Sequence, residues 1–379
     1  MILPGATIGI LGGGQLGRML AVTARQHGYG VIVLAPEGDA PAAGVADRWL
    51  RASYEDTGAA RALAEASAVV TYEFENVSAD TVAAIAARTA TAPSAELLAI
   101  TQDRIAEHAF LHRHGVATAL GMAVVGPASL RGAVDSLGLP GRVKSARGGY
   151  DGGGQHRIRS RLDMEALESR VAEGEWLYER DVAFEREFSV IVCRNAIGQI
   201  AAFPCFENMH RDGILAETIW PAAVPARVAA RGEEIARTLA EAVQLVGTLT
   251  VECFEVDGDV RVNELAPRVH NSGHLTIEGC TVSQFEQHLR AICGLPLRTP
   301  APLAPGVAMV NLLGTADSRR VHLEGAGIAM DVPGVHLHLY GKSSVRPRRK
   351  MGHLTALGAS REDALDRARR AHAALSFRA

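Results

Sequence analysis

TLTVECFEVDGDVRVNELAPR, residues 248–268, sets two runs of alternating apolar and polar side chains on either side of Asp257-Gly258-Asp259. Period-two alternation broken by an Asp-Gly step predicts an antiparallel hairpin. If Asp257-Gly258-Asp259 forms a three-residue loop, positions mirrored about Gly258 pair and Glu252 faces Glu264; a two-residue loop at Asp257-Gly258 sets Glu252 opposite Asn263 instead. Two directly opposed carboxylates repel and destabilise a hairpin unless a cation lies between them. Oxygen donors with room left for phosphate oxygens suit magnesium. The bland alternative is a solvated acidic face, and the apolar neighbours Val251, Cys253 and Leu265 weigh against it.

Downstream, Arg268, His270, Asn271, Ser272 and His274 bring a guanidinium, two imidazoles, an amide and a hydroxyl beside the proposed metal. His270 and His274 have the spacing of zinc ligands on a helix, but Gly273 and the missing third ligand favour anion and substrate binding. Upstream, the alternating runs FSVIVCR and IAAFPCF and a helical stretch over 228–246 make 176–265 an antiparallel-rich α+β region.

Before it lies RVKSARGGYDGGGQHRI, residues 142–158. Glycines free backbone amides to wrap a polyphosphate, and Lys144 adds a point charge. No GK[ST] ending is present, so this is not a P-loop. A flexible hairpin tip is the alternative; the lysine favours a mobile phosphate lid.

The first hundred residues alternate predicted strands (7–11, 31–35, 68–72) with helices (15–26, 59–66), a parallel α/β pattern ending near Pro93-Ser94. Gly12-Gly13-Gly14-Gln15-Leu16-Gly17 satisfies GxGxxG between strand and helix, where glycines let a phosphate approach a helix N-terminus. Glu37 stands about where a dinucleotide site places its acid. Alone, the loop reads equally as a dehydrogenase site, a packing turn, or a holder of another phosphate.

Past the proline-rich stretch 296–305 comes a small strand-rich tail (AMVNLLG, HLHLYGK) closed by a helix near 361–374. Within it Lys342, Arg346, Arg348, Arg349 and Lys350 cluster without interleaved aromatic residues, which suits one phosphate of a small substrate better than nucleic acid. Domain boundaries are expected at 1–100, 101–300 (with a lid over about 117–178) and 301–379.

The chain as a whole excludes several classes. Lys plus Arg number 39 against 42 Asp plus Glu, so no global charge draws it to nucleic acid or anionic lipid. Five scattered cysteines, none spaced as CxxC, argue against disulfides or a zinc ribbon and for a reducing compartment. No basic leader or bilayer-length apolar run appears, so a cytoplasmic, non-membrane protein is expected.

Taken together, the glycine-rich first unit, VKSARGGYDGGGQ, LYERDVAFEREFSV, VECFEV…VNELAPRVHNSGH and GKSSVRPRRKMGHL resemble the ATP-grasp family. Within it the chain is most similar to the 5-(carboxyamino)imidazole ribonucleotide synthases, almost end to end. The resemblance implies an ATP-grasp fold with an N-terminal Rossmann-like (pre-ATP-grasp) domain and a small C-terminal domain. It also implies a cytoplasmic homodimeric ligase that carboxylates 5-aminoimidazole ribonucleotide with bicarbonate through carboxyphosphate, using ATP and Mg2+, with Mn2+ able to substitute. By match of motif, Arg104, Lys144, Gln155, Glu179, Glu187 and His210 would surround ATP, with Glu187 on the ribose and the stretch after Glu179 on the adenine. Asn263 and Glu264 would join Glu252 at the phosphates and metal. The substrate would meet Gln15, Leu16, Glu73, Tyr150, Asp151, Arg268, His270, Asn271, Lys342, Arg349 and Lys350, with Lys144, Arg268 and His270 in catalysis and His270 as a base. The GxGxxG loop would then hold the substrate's phosphate end.

This chain departs from the family pattern at Gly153 and His108, where a basic residue is usual, and at Arg348, where glycine is common. A formate-dependent purine transformylase would share the metal pair and lid but not VHNSGH and RKMGHL. A nicotinamide-dependent oxidoreductase rests on the Gly12–Gly17 loop alone, and a nucleic-acid-binding module on the basic tail alone.

Overall fold

Short strands at Arg48–Leu50, Gly30–Leu34, Thr7–Leu11, Val69–Tyr72 and Ala90–Thr91 lie side by side, in that order, as an all-parallel sheet. They belong to a computed structural model that describes residues 1–149, 153–315, 317–319 and 321–378. Helices Gln15–Gln26, Thr57–Glu65 and Ala79–Ala86 cover the sheet, because buried parallel strands need both faces packed. Thr7–Leu11 pairs on one side with Gly30–Leu34 and on the other with Val69–Tyr72, so the chain reverses direction of growth there. The loop after Leu11 and the residue after Tyr72 therefore open into the crevice at that switch point, which is where Gly12–Gly17 and Glu73 lie.

A second, four-stranded antiparallel sheet (Gly121–Val124, Trp176–Arg180, Gly141–Ser145, Gln155–Ile158, in that order) is the lid region. Two helices pack on it, Gly126–Leu137 and Arg161–Val171. Neither is among the sequence expectations, which foresaw strands and a glycine segment there. Arg161–Val171 buries only Met164 and Val171, but a capping box from Ser160 and Asp163 starts it firmly.

The third and largest sheet runs Asp259–Ala266, Gly247–Val256, Arg186–Arg194, Phe206–Arg211, Ile214–Trp220, Gly306–Leu313, Lys350–Gly358, Val335–Leu339, with Ile200–Ala202 added beside Arg186–Arg194. Helix Ala226–Ala242 closes one face over Phe188, Val190, Leu249, Val251 and Cys253. Helix Gln284–Ile292 packs against Gln15–Gln26, and Phe285, Leu289 and Ile292 share a core with Ile8, Leu20 and Ala24. The C-terminal strands continue this central sheet through Ile214–Trp220 and Gly306–Leu313. All five cysteines are free, and no helix among the described residues is long and apolar enough to cross a membrane.

Candidate active site

Asp257 (φ 52) and Gly258 (φ 71) alone connect the hairpin strands, a two-residue turn with both central residues left-handed. The expected three-residue loop is thus wrong, yet Glu252 does face Glu264. A bulge reconciles the two: Cys253 pairs with Val262 while Glu252 pairs with Glu264, leaving Asn263 as the extra residue. A bulge re-aims side chains, and here Asn263 and Glu264 both line the cleft. Sequence alternation cannot reveal it, because a one-residue insertion in one strand mimics a change in loop length.

On the cleft face of this sheet Glu187 lies diagonal to Glu252, since Glu187 pairs with Phe254 and Ser189 with Glu252. Glu252 is buried and its Oε1 lies 2.9 Å from Nε2 of His270, whose Nδ1 lies 2.9 Å from Ser272 Oγ. Burial would raise the Glu252 pKa, but the His270 imidazole and the cations beyond it hold the carboxyl below its usual range. Both His270 nitrogens are therefore engaged, and in this arrangement the ring orients Glu252. Glu187 accepts from His210 (Nδ1–Oε2 2.8 Å). Burial lifts the Glu187 pKa, and Glu187 in turn lifts that of His210 against its burial. Glu264, 41% exposed, is met by Arg104 Nη1 at 3.2 Å.

Glu107, absent from the sequence expectations, lies behind this group. It is fully buried, accepts from the Leu265 amide at 2.8 Å, and its pKa is pushed to about 8 by burial and by Glu264. A neutral acid there satisfies the edge-strand donor beside the bulge without adding another charge. Its spacing of three from Arg104 on one helix is the only sequence signal that could have found it.

This donor set fits a hard divalent cation. Carboxylates of Glu187, Glu252 and Glu264 line one confined space, where the charges of Glu252 and Glu264 help burial lift the Glu187 pKa, and the added Asn263 donor is also oxygen-bearing. Glu187, His210 and Glu252 place one donor atom each within 4.8 Å of one another, a grouping that shares only Glu252 with the expected metal pair.

Across the cleft, Lys144 and Glu179 sit diagonally on adjacent lid strands, Lys144 opposite Leu177 and Glu179 opposite Arg142. Glu179 binds Lys144 Nζ with one oxygen and His108 Nε2 with the other, the latter at 2.9 Å. His108, standing where the resemblance leads one to expect lysine, thus serves as a second partner for Glu179. Gln155 pairs with Lys144 and lines the same wall. Phe184 stacks on Phe254 (centroids 4.5 Å apart, 12° between planes) beside Glu187 and Arg180–Ala183, a flat apolar wall that the sequence reading did not single out. Tyr150 and Asp151 lie outside the described residues. The whole cleft measures about 960 Å3.

Gln15, Leu16 and Arg268 line this cleft and also a smaller cavity of about 200 Å3, so the two adjoin. The smaller cavity is walled by Lys342 and Arg349 from the C-terminal region and by Glu37, Asp39 and Tyr54 from the loops that follow Gly30–Leu34 and Arg48–Leu50. Lys342 donates to Gln15 Oε1 at 3.0 Å, and burial together with Arg349 lowers its pKa to about 8. Arg349 pairs with Asp39 at 3.0 Å. Lys350 faces the larger cleft, where Asn271 is buried and its amide atoms have no partner among the described residues. Arg268 is buried against Glu75.

The glycine loop has an unexpected occupant. The Glu73 carboxylate accepts from the Gly14 and Gly17 amides at 2.8 and 3.0 Å. A Cβ at Gly12, Gly14 or Gly17 would come within 2.5, 2.8 or 2.9 Å of the Glu73 side chain. All three glycines of GxGxxG therefore admit a buried carboxylate to the helix N-terminus, the place a dinucleotide pyrophosphate would need. That removes the basis of the nicotinamide reading and moves any substrate phosphate toward Gln15, Leu16, Lys342 and Arg349.

A sheet-and-lid cleft of this kind, with carboxylates on the sheet and a lysine on the lid, defines the ATP-grasp class, and the model of the ATP-grasp domain matches residues 109–285. The ribonucleotide synthetase preATP-grasp domain matches 5–102, and the phosphoribosylaminoimidazole carboxylase C-terminal domain 307–367. N5-carboxyaminoimidazole ribonucleotide synthase of Bacillus subtilis is 44% identical over 356 residues, covering 94% of this chain and 92% of the relative. The Brucella melitensis enzyme of the same name is 43% identical over 357 residues, covering 93% and 97%. An N5-carboxyaminoimidazole ribonucleotide synthetase solved with ADP superposes at TM-score 0.91 with 41% identity, covering 98% and 97%. The Aspergillus clavatus synthase in complex with ADP and 5-aminoimidazole ribonucleotide does so at 0.89 with 30% identity, covering 97% and 98%. The chain belongs to the N5-carboxyaminoimidazole ribonucleotide synthase family.

Proposed function

We propose that this protein carboxylates the exocyclic amine of 5-aminoimidazole ribonucleotide with bicarbonate, cleaving ATP to ADP and phosphate, in purine biosynthesis. The observation that carries the reading is the joined pair of cavities. One is lined by Glu252, Asn263, Glu264, Lys144 and the Phe184–Phe254 wall, and the other by Lys342 and Arg349, with Gln15, Leu16 and Arg268 common to both. A nucleoside triphosphate suits the first, a small phosphate-bearing nucleotide the second.

Bicarbonate is a poor electrophile, so its oxygen attacks the γ-phosphorus as the bond to ADP breaks, giving carboxyphosphate. Lys144 neutralises charge on the transferred group. Carboxyphosphate breaks down to carbon dioxide and phosphate, and the substrate's amine adds to the carbon dioxide and loses a proton. The intermediate hydrolyses readily, so water must be kept from the cleft while it forms. Arg268, where the two cavities meet, and Asn271, in the larger one, would orient the amine, while His270 holds Glu252. Magnesium, held by Glu252 and Glu264 with Asn263, would supply charge neutralisation at the β- and γ-phosphates. Homodimeric assembly and a cytoplasmic setting belong to the same proposal.

The test is ADP release by the purified protein in bicarbonate buffer, with and without 5-aminoimidazole ribonucleotide, alongside detection of the carboxylated product. ADP release indifferent to that nucleotide, with no product, sinks the proposal.

A further inference from the structure

Arg348 stands at φ 68, a left-handed conformation that L residues with long side chains rarely adopt. Its backbone is sewn in place: its amide donates to the Gly314 carbonyl at 2.8 Å, and the Gly314 amide donates to the Arg349 carbonyl at 2.8 Å. From that pose the guanidinium reaches away from its own segment, and Nη2 donates to the carbonyl oxygen of Asp212 at 2.8 Å. Asp212, at φ 51, begins the two-residue turn between Phe206–Arg211 and Ile214–Trp220. Two left-handed non-glycine residues thus meet between the C-terminal strands and the hairpin. Such conformations persist where the surroundings over-determine them, often at functional sites.

The residues on either side give the contact its meaning. Two positions before Asp212 is His210, at a strand irregularity and paired with Glu187 at the ATP end. Immediately after Arg348 come Arg349, in the smaller cavity, and Lys350, in the larger. We propose that Arg348 is a positioning residue that ties the Arg349-Lys350 segment to the turn carrying His210, and so couples the nucleotide-substrate end of the cleft to the ATP end. The inference rests on the functional reading above; that reading fails if the unmodified enzyme makes no product, the inference only if the variants below behave like it.

Arg348→Gly and Arg348→Ala in the full-length enzyme separate the side chain from its backbone pose. Glycine takes φ 68 freely, so Arg348→Gly should hold Tm or raise it by about 1–3 °C, whereas Arg348→Ala keeps the strain. Both should raise KM for 5-aminoimidazole ribonucleotide and for ATP about three- to tenfold, the scale of one ordinary hydrogen bond, with kcat within about twofold. Unchanged KM values in both variants overturn the proposal. So does a defect confined to Arg348→Ala that follows its loss of Tm, or a fall in kcat without a change in either KM.

Discussion

The contact between the lid lysine and Glu179 invites the sharpest test. Glu179 is buried, with both oxygens engaged, by Lys144 and by His108. Burial alone would raise its pKa, yet Lys144 and His108 bring it to about 2 from the ordinary 4.5. A folded-state pKa below the unfolded one means stability that is fully present above pH 4.5 and is lost as pH falls toward 2. At about 1.4 kcal/mol per pH unit, the separation is worth about 3 kcal/mol. Replacing Glu179 with Gln leaves Lys144 as a buried cation with its counter-charge gone, a loss of about 3–5 kcal/mol at neutral pH. Urea denaturation at pH 7, with hydrogen exchange of the strand Gly141–Ser145 to localise the effect, measures it. Repeated from pH 6 down to pH 3, the unmodified protein should lose lid protection more steeply than Glu179→Gln, and the two should converge. A variant within about 1 kcal/mol of the parent at pH 7, or pH profiles that stay parallel, would refute the account.

Other predictions are more direct. Glu264→Gln should lower kcat/KM at least about a hundredfold, leave the circular dichroism unchanged, and weaken Mn2+ binding in the presence of ADP by magnetic resonance; near-parental Mn2+ affinity contradicts the ligand assignment. Glu73→Ala strands the Gly14 and Gly17 amides at a buried helix N-terminus and should cost about 2–4 kcal/mol in urea denaturation, and a neutral result would mean water replaces the carboxylate at no cost. Phe184→Ala should raise KM for ATP up to about tenfold without altering KM for the nucleotide substrate, since only one face of the proposed adenine wall is lost. Equal effects on both substrates would place the stacked pair elsewhere in the mechanism.

Much of the scaffold could be read from periodicity. The expected strand at 7–11 and helices at 15–26 and 361–374 match Thr7–Leu11, Gln15–Gln26 and Arg361–Ala374, because strong alternation or a clear apolar stripe met unambiguous turn residues at each end. The hairpin shows the limit of this method. Glu252 faces Glu264 as expected, but through a two-residue turn plus a bulge at Asn263, two features whose effects on register cancel. The glycine motif shows another. Its spacing left a phosphate site and a packing turn equally open, and could not show that the anion at the helix N-terminus is the protein's own Glu73, 59 residues from Gly14 and beside it only because two parallel strands are neighbours. Glu107 and Phe184 were invisible for a similar reason, since each acquires its role from a partner supplied by another strand, Leu265 and Phe254.

The way the C-terminal strands join the central sheet bears on how this chain could be taken apart. Residues 307–367 match a domain model of their own, as would a unit separable at the proline-rich stretch before it. Hydrogen bonding says otherwise. Gly306–Leu313 is zipped to Ile214–Trp220, and Val307 and Met309 complete a core with Ile191, Phe206 and Leu215. A protein ended near residue 305 would bare a row of backbone donors and acceptors along Ile214–Trp220 above an open apolar floor, an adhesive edge prone to pairing with other chains. Grafting a foreign C-terminal unit therefore demands a donor strand of matching register, and a flexible linker would not suffice.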